Sequence, residues 1–265
     1  MEPNQLKIVA IIPARMGSTR FPGKPLCPIL GRPMIEHVYR RTAMCRALEG
    51  VYVATCDQVI MDAVDAFGGK ALMTSSSHER ASDRVAEAMA SLDADIVVMV
   101  QGDEPMVHPD MIDAALKPLL VKEKRNICVN LTVPIKTEND FTNPNTIKVV
   151  MDSENYAIYM SREAIPTCQL KPFGQIPAYK QVCIIPFTTA GLKLFNQLTP
   201  TPLEEAESID MLRFIEHGYK VKMVETPYAT QAVDTEADRL LVESLMQDDP
   251  LTLQYLKENG RTTSK

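Results

Sequence analysis

Three short stretches carry residues whose types and spacing could do chemistry. The first is residues 11–26, IIPARMGSTRFPGKPL, which sets Arg15, Arg20 and Lys24 among Gly17, Ser18, Thr19, Pro22 and Gly23, with Arg32 a few residues further on. Glycines let backbone N–H groups approach an oxygen closely, hydroxyls add donors and the cations fix charge, which is what a phosphate site requires. The spacing fits neither the GxxxxGK[ST] loop nor the dinucleotide GxGxxG, so a nicotinamide dehydrogenase is excluded. A basic surface turn is the plainer reading. Its place at the carboxyl end of a first apolar strand, where open α/β sheets receive ligands, favours an anion site.

The second stretch is residues 96–107, IVVMVQGDEPMV, a buried strand opening into Gln101, Gly102, Asp103, Glu104 and Pro105. Adjacent acids beside a low-dielectric core repel each other, and a divalent cation removes that cost. Magnesium prefers one or two carboxylates together with substrate phosphates. A solvated strand-to-helix turn is the alternative. The third stretch is AVDTEAD, residues 232–238, where Asp234 either caps the helix that follows or supplies a second metal ligand.

The elements that must position these residues alternate. Strands are expected at residues 7–12, 51–54, 70–73, 96–100, 127–133, 147–151, 182–187 and 220–224. Helices are expected to begin at Pro33, Gln58, Ser82, Pro109, Thr189, Pro202 and Thr235, the last carrying an apolar stripe at Ala237, Leu240, Leu241 and Leu245. The pattern predicts βαβ units and a largely parallel sheet. Residues 136–202 break it with prolines at 144, 166, 172, 177, 186 and 200, and read as an arm inserted into the core.

Composition bounds the rest. The chain has 265 residues with 45% hydrophobic and 23% charged content, ordinary for a core-forming protein, and a net charge of −6 that argues against a general nucleic-acid binder. The first apolar run is too short for a signal core or a membrane span. Cys27, Cys45, Cys56, Cys128, Cys168 and Cys183 are scattered without a CxxC pair and read as reduced thiols of a cytoplasmic protein. No HExxH zinc motif occurs, since HERAS at 78–82 lacks the second histidine. Methionines read as core filler, His37 as a partly buried packing residue, His108 as a loop residue, and the run Lys122 to Arg125 as a solvated helix end.

Taken in order, IIPARMGSTRFPGKPL, GRPMIEHV, VATCDQ, GGKALMT, DRVAEA, VQGDEP, FTNPNTIKVVMD, YAIYMSREAIP, TPLEEAE and AVDTEAD resemble the CMP-3-deoxy-manno-octulosonate (CMP-KDO) synthetases, from Ile11 to about Leu245. The resemblance implies a three-layer α/β fold with a mostly parallel sheet of the nucleotide-diphospho-sugar transferase type. It implies a single cytidylyltransferase domain over residues 1–265, with a core of about 6–135 and 203–248 and an arm of about 136–202. It implies Mg-dependent transfer of CMP from CTP to an ulosonic acid, in a cytoplasmic homodimer that binds neither nucleic acid nor membrane. Carried over by position, Arg15, Ser18 and Lys24 resemble the CTP-phosphate residues, and Ala14, Thr74 and Gln101 line the cytidine pocket. Asp103 and Asp234 resemble the magnesium ligands, with Arg15 and Lys24 completing the catalytic set. Arg84, Gln181, Ile185 and Glu204 fall on the acceptor side.

Departures concentrate on that side. The family's HxSGT-acid-R becomes His78-Glu79-Arg80-Ala81-Ser82-Asp83-Arg84, which adds the cation Arg80. Its HLGIYGY strand becomes Gln181-Val182-Cys183-Ile184-Ile185-Pro186-Phe187, which replaces a histidine with Gln181 and a tyrosine with Ile185. The expectation is therefore the same chemistry on KDO or on a relative of it, such as an amino-substituted KDO, another ulosonic acid or a phosphonate. A catalytically silent nucleotide-binding homologue is the reading from a different class, and the joint presence of Arg15, Lys24, Asp103 and Asp234 speaks against it.

Overall fold

The computed structural model describes residues 6–17, 21–121, 126–228 and 230–258. Strand β1 (Ile8–Ala14) is buried along its whole length, as a central parallel strand covered on both faces must be. After it come a short ribbon, β2 (Pro28–Ile29) with β3 (Arg32–Pro33), then α1 (Met34–Ala43), β4 (Gly50–Thr55), α2 (Gln58–Ala66), β5 (Ala71–Met73), α3 (Ala81–Met89), β6 (Ile96–Val100) and α4 (Pro109–Leu120). The chain continues through β7 (Val129–Pro134), α5 (Glu138–Thr142), β8 (Lys148–Met151), β9 (Ala157–Ser161), β10 (Tyr179–Val182) and β11 (Ile184–Thr188). It closes with α6 (Thr189–Gln197), α7 (Pro202–Glu207), α8 (Met211–Glu216), β12 (Lys222–Glu225), α9 (Glu236–Met246) and α10 (Pro250–Glu258).

The central sheet runs β11-β6-β1-β4-β5, parallel except at its β11 edge. Side chains alternate across a strand, so Ile8, Ala10 and Ile12 of β1 join the core under α1, α2 and α4, whereas Val9 and Ile11 join the core under α3, α6 and α8. Three layers result, as expected. A second, mixed sheet runs β12-β7-β10-β8-β9 and meets the first through a bridge between Cys128 and Phe187. Residues 136–202 thus contribute β8, β9 and β10 to the second sheet and β11 to the central one.

The apolar run at 182–187, expected as one strand, is split at Cys183. Val182 ends a strand paired with β7, and Ile184 starts one paired with β6. Pro186 has no N–H to give to a second neighbour, which suits the edge position that β11 occupies. The stripe expected on α9 is also reversed: Val242 and Met246 are buried, while Leu240, Leu241 and Leu245 are about half exposed. Thr235 opens that helix as expected, but α10 follows it. Helix α10 is fastened to α1 by Arg41, whose Nη1 lies 2.6 Å from Asp249 Oδ2, and by His37, whose Nδ1 lies 2.6 Å from Tyr255 Oη. His37 is fully buried, and its Nε2 donates to the Ile29 carbonyl at 2.7 Å. A carbonyl only accepts, so Nδ1 must accept from the tyrosine hydroxyl. Among the described residues no helix is long and apolar enough to cross a membrane.

Candidate active site

The cationic loop leaves the carboxyl end of β1 and is closed at its base. Gly23 takes a left-handed φ of 71°, which glycine adopts at no steric cost, and its N–H donates to the Met16 carbonyl at 3.3 Å. Met16 N in turn donates to Asp57 Oδ2 at 2.7 Å, which pins the loop to the end of β4. The single turn of 3-10 helix that follows carries Lys24. Ser18, Thr19 and Arg20, and the run Lys122 to Arg125, lie outside the described residues. Arg32 forms an ion pair with Glu36 on α1.

At the end of β6 the backbone passes very close to β1. A Cβ on Gly102 would sit 2.8 Å from the Pro13 carbonyl oxygen, so this turn requires glycine. The two acids after it part company. Asp103 faces Lys24, with Nζ to Oδ2 at 2.7 Å. Glu104 turns inward, is fully buried, and has an Oε2 without a hydrogen-bond partner. Burial first, and Asp103 second, push its carboxyl up to about 8.

The third motif reaches the same place from the far end of the chain. Val233 N donates to the Asp103 carbonyl at 2.9 Å, and Asp234 Oδ1 lies 3.1 Å from Lys24 Nζ. The cap of α9 is Thr235, whose hydroxyl accepts from Asp238 N while Asp238 Oδ2 accepts from Thr235 N. Of the two readings of Asp234, capping therefore falls away, because its carboxylate points at the lysine. Burial alone would lower the Lys24 pKa; Asp103 and Asp234 outweigh it and hold the ammonium above its ordinary range.

A cavity of about 380 Å³ opens beside this cluster, lined by Ala14, Arg15, Lys24, Arg84, Gln101 and Asp103, with Arg15 exposed at its rim. Thr74 stands behind the wall, where its hydroxyl accepts from Arg84 Nη1 at 2.5 Å. A smaller chamber of about 170 Å³ adjoins and shares Arg80 and Gln101 with the first. Gln181 and Ile185 line it, beside Met99 and Ile147. Arg80 stands at the junction, donating to Ser208 Oγ at 2.7 Å. Glu204 lies apart from both cavities: its carboxylate is gripped by Arg213 at 2.8 and 2.7 Å and is 1% exposed, with Arg80 Nε 3.9 Å away. Glu207 is likewise engaged, accepting from Tyr159, Ser161 and the Arg162 N–H. His78 and Ser208 also line the larger cavity; the HERAS stretch carried the first, and nothing in the sequence pattern marked the second.

Among the described residues no three of His, Cys, Asp or Glu gather as a metal cage. Two carboxylates converging on one cation are a hard, oxygen-only donor set. That set fits magnesium, which takes one or two carboxylates and leaves its other positions to water and phosphate.

A cavity rimmed by cations and acids at the strand ends of an open sheet defines an α/β protein built to receive a phosphorylated ligand. Residues 9–224 match the family described as cytidylyltransferase. A 3-deoxy-manno-octulosonate cytidylyltransferase of Geotalea uraniireducens is 47% identical over 242 residues, covering 88% of this chain and 96% of that protein. One of Geobacter metallireducens is 44% identical, with 88% and 95% covered. The solved structure of a CMP:2-keto-3-deoxy-manno-octonic acid synthetase complexed with CTP superimposes with a TM-score of 0.83 at 38% identity, covering 91% of this chain and 98% of that one. The chain belongs to the cytidylyltransferase family and, within it, to the 3-deoxy-manno-octulosonate cytidylyltransferases.

Proposed function

We propose that this chain transfers CMP from CTP to 3-deoxy-manno-octulosonate or a close relative of it, giving the CMP-sugar and pyrophosphate, as one catalytic domain spanning the chain. The observation that carries the reading is the convergence of Lys24, Asp103 and Asp234, from three distant motifs, at the mouth of a cationic cavity. In this reading the larger cavity holds the nucleotide. Arg15, Ser18 and Lys24 take the phosphates, and Ala14 and Gln101 line the base, with Thr74 acting through Arg84. The adjoining chamber holds the acceptor against Gln181 and Ile185. The acceptor's anomeric hydroxyl oxygen attacks the α-phosphorus as the bond to the pyrophosphate oxygen breaks. Arg80 stands where the two substrates meet and Arg84 on the wall of the larger cavity, so the chain contributes alignment and charge compensation instead of a covalent intermediate. Glu204 acts on the acceptor side only through Arg80.

Asp103 and Asp234 would hold magnesium, which when bound neutralises charge on the transferring phosphate. Lys24 holds both carboxylates together. The same reading makes the enzyme a cytoplasmic homodimer in lipopolysaccharide synthesis. Six free thiols support the compartment. The exposed Ile158 and Leu170, 57% and 92% accessible on the arm, support self-association.

The test is calorimetric binding of CTP, ATP and GTP without acceptor, followed by pyrophosphate release with a panel of ulosonic acids. CTP should bind and be turned over. Preference for ATP or GTP would overturn the assignment, and CTP binding without release would favour a silent homologue.

A further inference from the structure

The orientation of one carboxamide in the acceptor chamber is dictated by a residue behind it. Asn130 on β7 is fully buried, and its Nδ2 donates to the Val182 carbonyl at 2.7 Å and the Leu131 carbonyl at 2.9 Å. Both partners are carbonyls, which cannot donate, so the amide cannot be turned over without setting oxygen against oxygen in a dry core. Its Oδ1 is thereby fixed as an acceptor. That oxygen lies 2.5 Å from Gln181 Nε2, and only an N–H can satisfy it. Gln181 is in turn left with its carbonyl Oε1 as the group that no described residue pairs, on a side chain that lines the acceptor chamber. Met99, Ile147 and Ile185 in the same lining are apolar, and the chamber's donors, Arg80, Gln101 and Ser208, form no hydrogen bond to that oxygen.

We propose that Asn130 is a positioning residue that locks Gln181 with its carbonyl oxygen toward the acceptor, so that this chain selects acceptors carrying a hydrogen-bond donor there. This rests on the reading of the chamber as the acceptor site. A hydroxyl meets the requirement, since it donates to Oε1 and can also accept from the second Nε2 hydrogen. An ammonium meets it through the oxygen alone. An ether oxygen or a fluorine cannot donate, and once bound over Oε1 would shut it off from water without a partner. The class of substrate is therefore an ulosonic acid with a free hydroxyl or amino group on the part that reaches Gln181. The titratable ring that the family pattern places at this position could present a donor or an acceptor as its proton moves. The locked carboxamide always presents its oxygen.

The experiment compares kcat/KM for KDO with that for its singly deoxy-fluorinated analogues, in the native enzyme, Gln181→Leu and Asn130→Ala. In the native enzyme one analogue should lose about tenfold or more in kcat/KM, through KM with kcat nearly unchanged. That difference should shrink below about threefold in both variants, while KM for CTP stays as it was. Should Asn130→Ala fail to fold, NMR of the native protein decides the positioning: a held Gln181 side-chain amide exchanges slowly with solvent, and a freely rotating, fast-exchanging one overturns the lock. Equal rates for KDO and every fluorinated analogue would overturn the inference alone. No pyrophosphate release with any ulosonic acid would overturn it together with the proposed function.

Discussion

Lys24 is the residue on which the candidate site turns, because its ammonium is the point at which Asp103 and Asp234 meet. Each carboxylate is about three-quarters shielded, at 28% and 20% side-chain exposure, so their mutual repulsion is not screened as it would be in open water. Removing the charge of either acid takes away half of the oxygen set that would hold magnesium. Asp103→Asn and Asp234→Asn should each lower turnover on the order of a hundredfold, since metal stabilisation of transferring phosphate is worth several kcal/mol. Steady-state kinetics alongside circular dichroism checks this; near-normal turnover in either variant would leave that acid a loop residue. At this scale the sequence was most informative where a motif does its own positioning, as in the glycine loop and QGDEP. It was least informative for Glu104, whose identity as an acid says nothing about whether it faces the cavity or the core.

Among the elements, α7 and α8 show how a residue carried over from a family pattern can stand one layer behind the cavity walls. Glu204 on α7 forms a two-pronged ion pair with Arg213 on α8, and Arg213 Nη1 also lies 3.3 Å from Asp83 on α3. Truncating one member leaves a buried guanidinium short of its partner, which typically costs about 3–5 kcal/mol. Glu204→Ala should therefore lower Tm by roughly 6–20 °C in a domain of this size. Differential scanning calorimetry reads that directly; unchanged Tm with a raised acceptor KM would return Glu204 to the chamber wall. The spacing of Glu204 and Arg213 hinted at none of this, because two short helices with a break between them carry no shared periodicity. The split at Cys183 was hidden for the opposite reason, since the apolar run continues through the residue at which the strand changes sheets.

At the scale of the molecule, α10 closes over α1 through His37 and Tyr255, and the closure is sensitive to protonation. Burial, ahead of every other influence, holds the His37 pKa below 6.5. The unfolded chain then binds this proton more readily, so stability is present above about pH 6.5 and is lost as pH falls through the folded value. Glu104 acts in the other direction, its carboxyl being pushed up to about 8, but it is common to any pair of variants at position 37. The fall in Tm between pH 7.5 and 5.5 should be shallower in His37→Gln than in the native protein, as measured by thermal melts across that range. Identical slopes would mean that His37 does not titrate in the unfolding equilibrium. The arm makes a separate statement about assembly. Strand β9 is the last strand in the order of the second sheet; Ala157 at its start donates to the Val221 carbonyl, and the exposed Ile158 follows where that pairing stops, an edge of the kind that invites another chain. Ile158→Asp should convert the proposed dimer to a monomer in sedimentation velocity, and an unaltered dimer would move the interface elsewhere.

The stitch between Val233 and Asp103 also has a consequence in time. Lys24 and Asp234 are 210 positions apart. At about 5–20 residues per second on the ribosome, the loop emerges roughly 10–40 s before the acid that completes its cluster. A half-made chain can therefore form the nucleotide-facing strands, yet it has only Asp103 to set against Lys24. If Asp234 holds the metal as proposed, catalysis waits on translation reaching it, and a chain that stops short of residue 234 should not consume CTP.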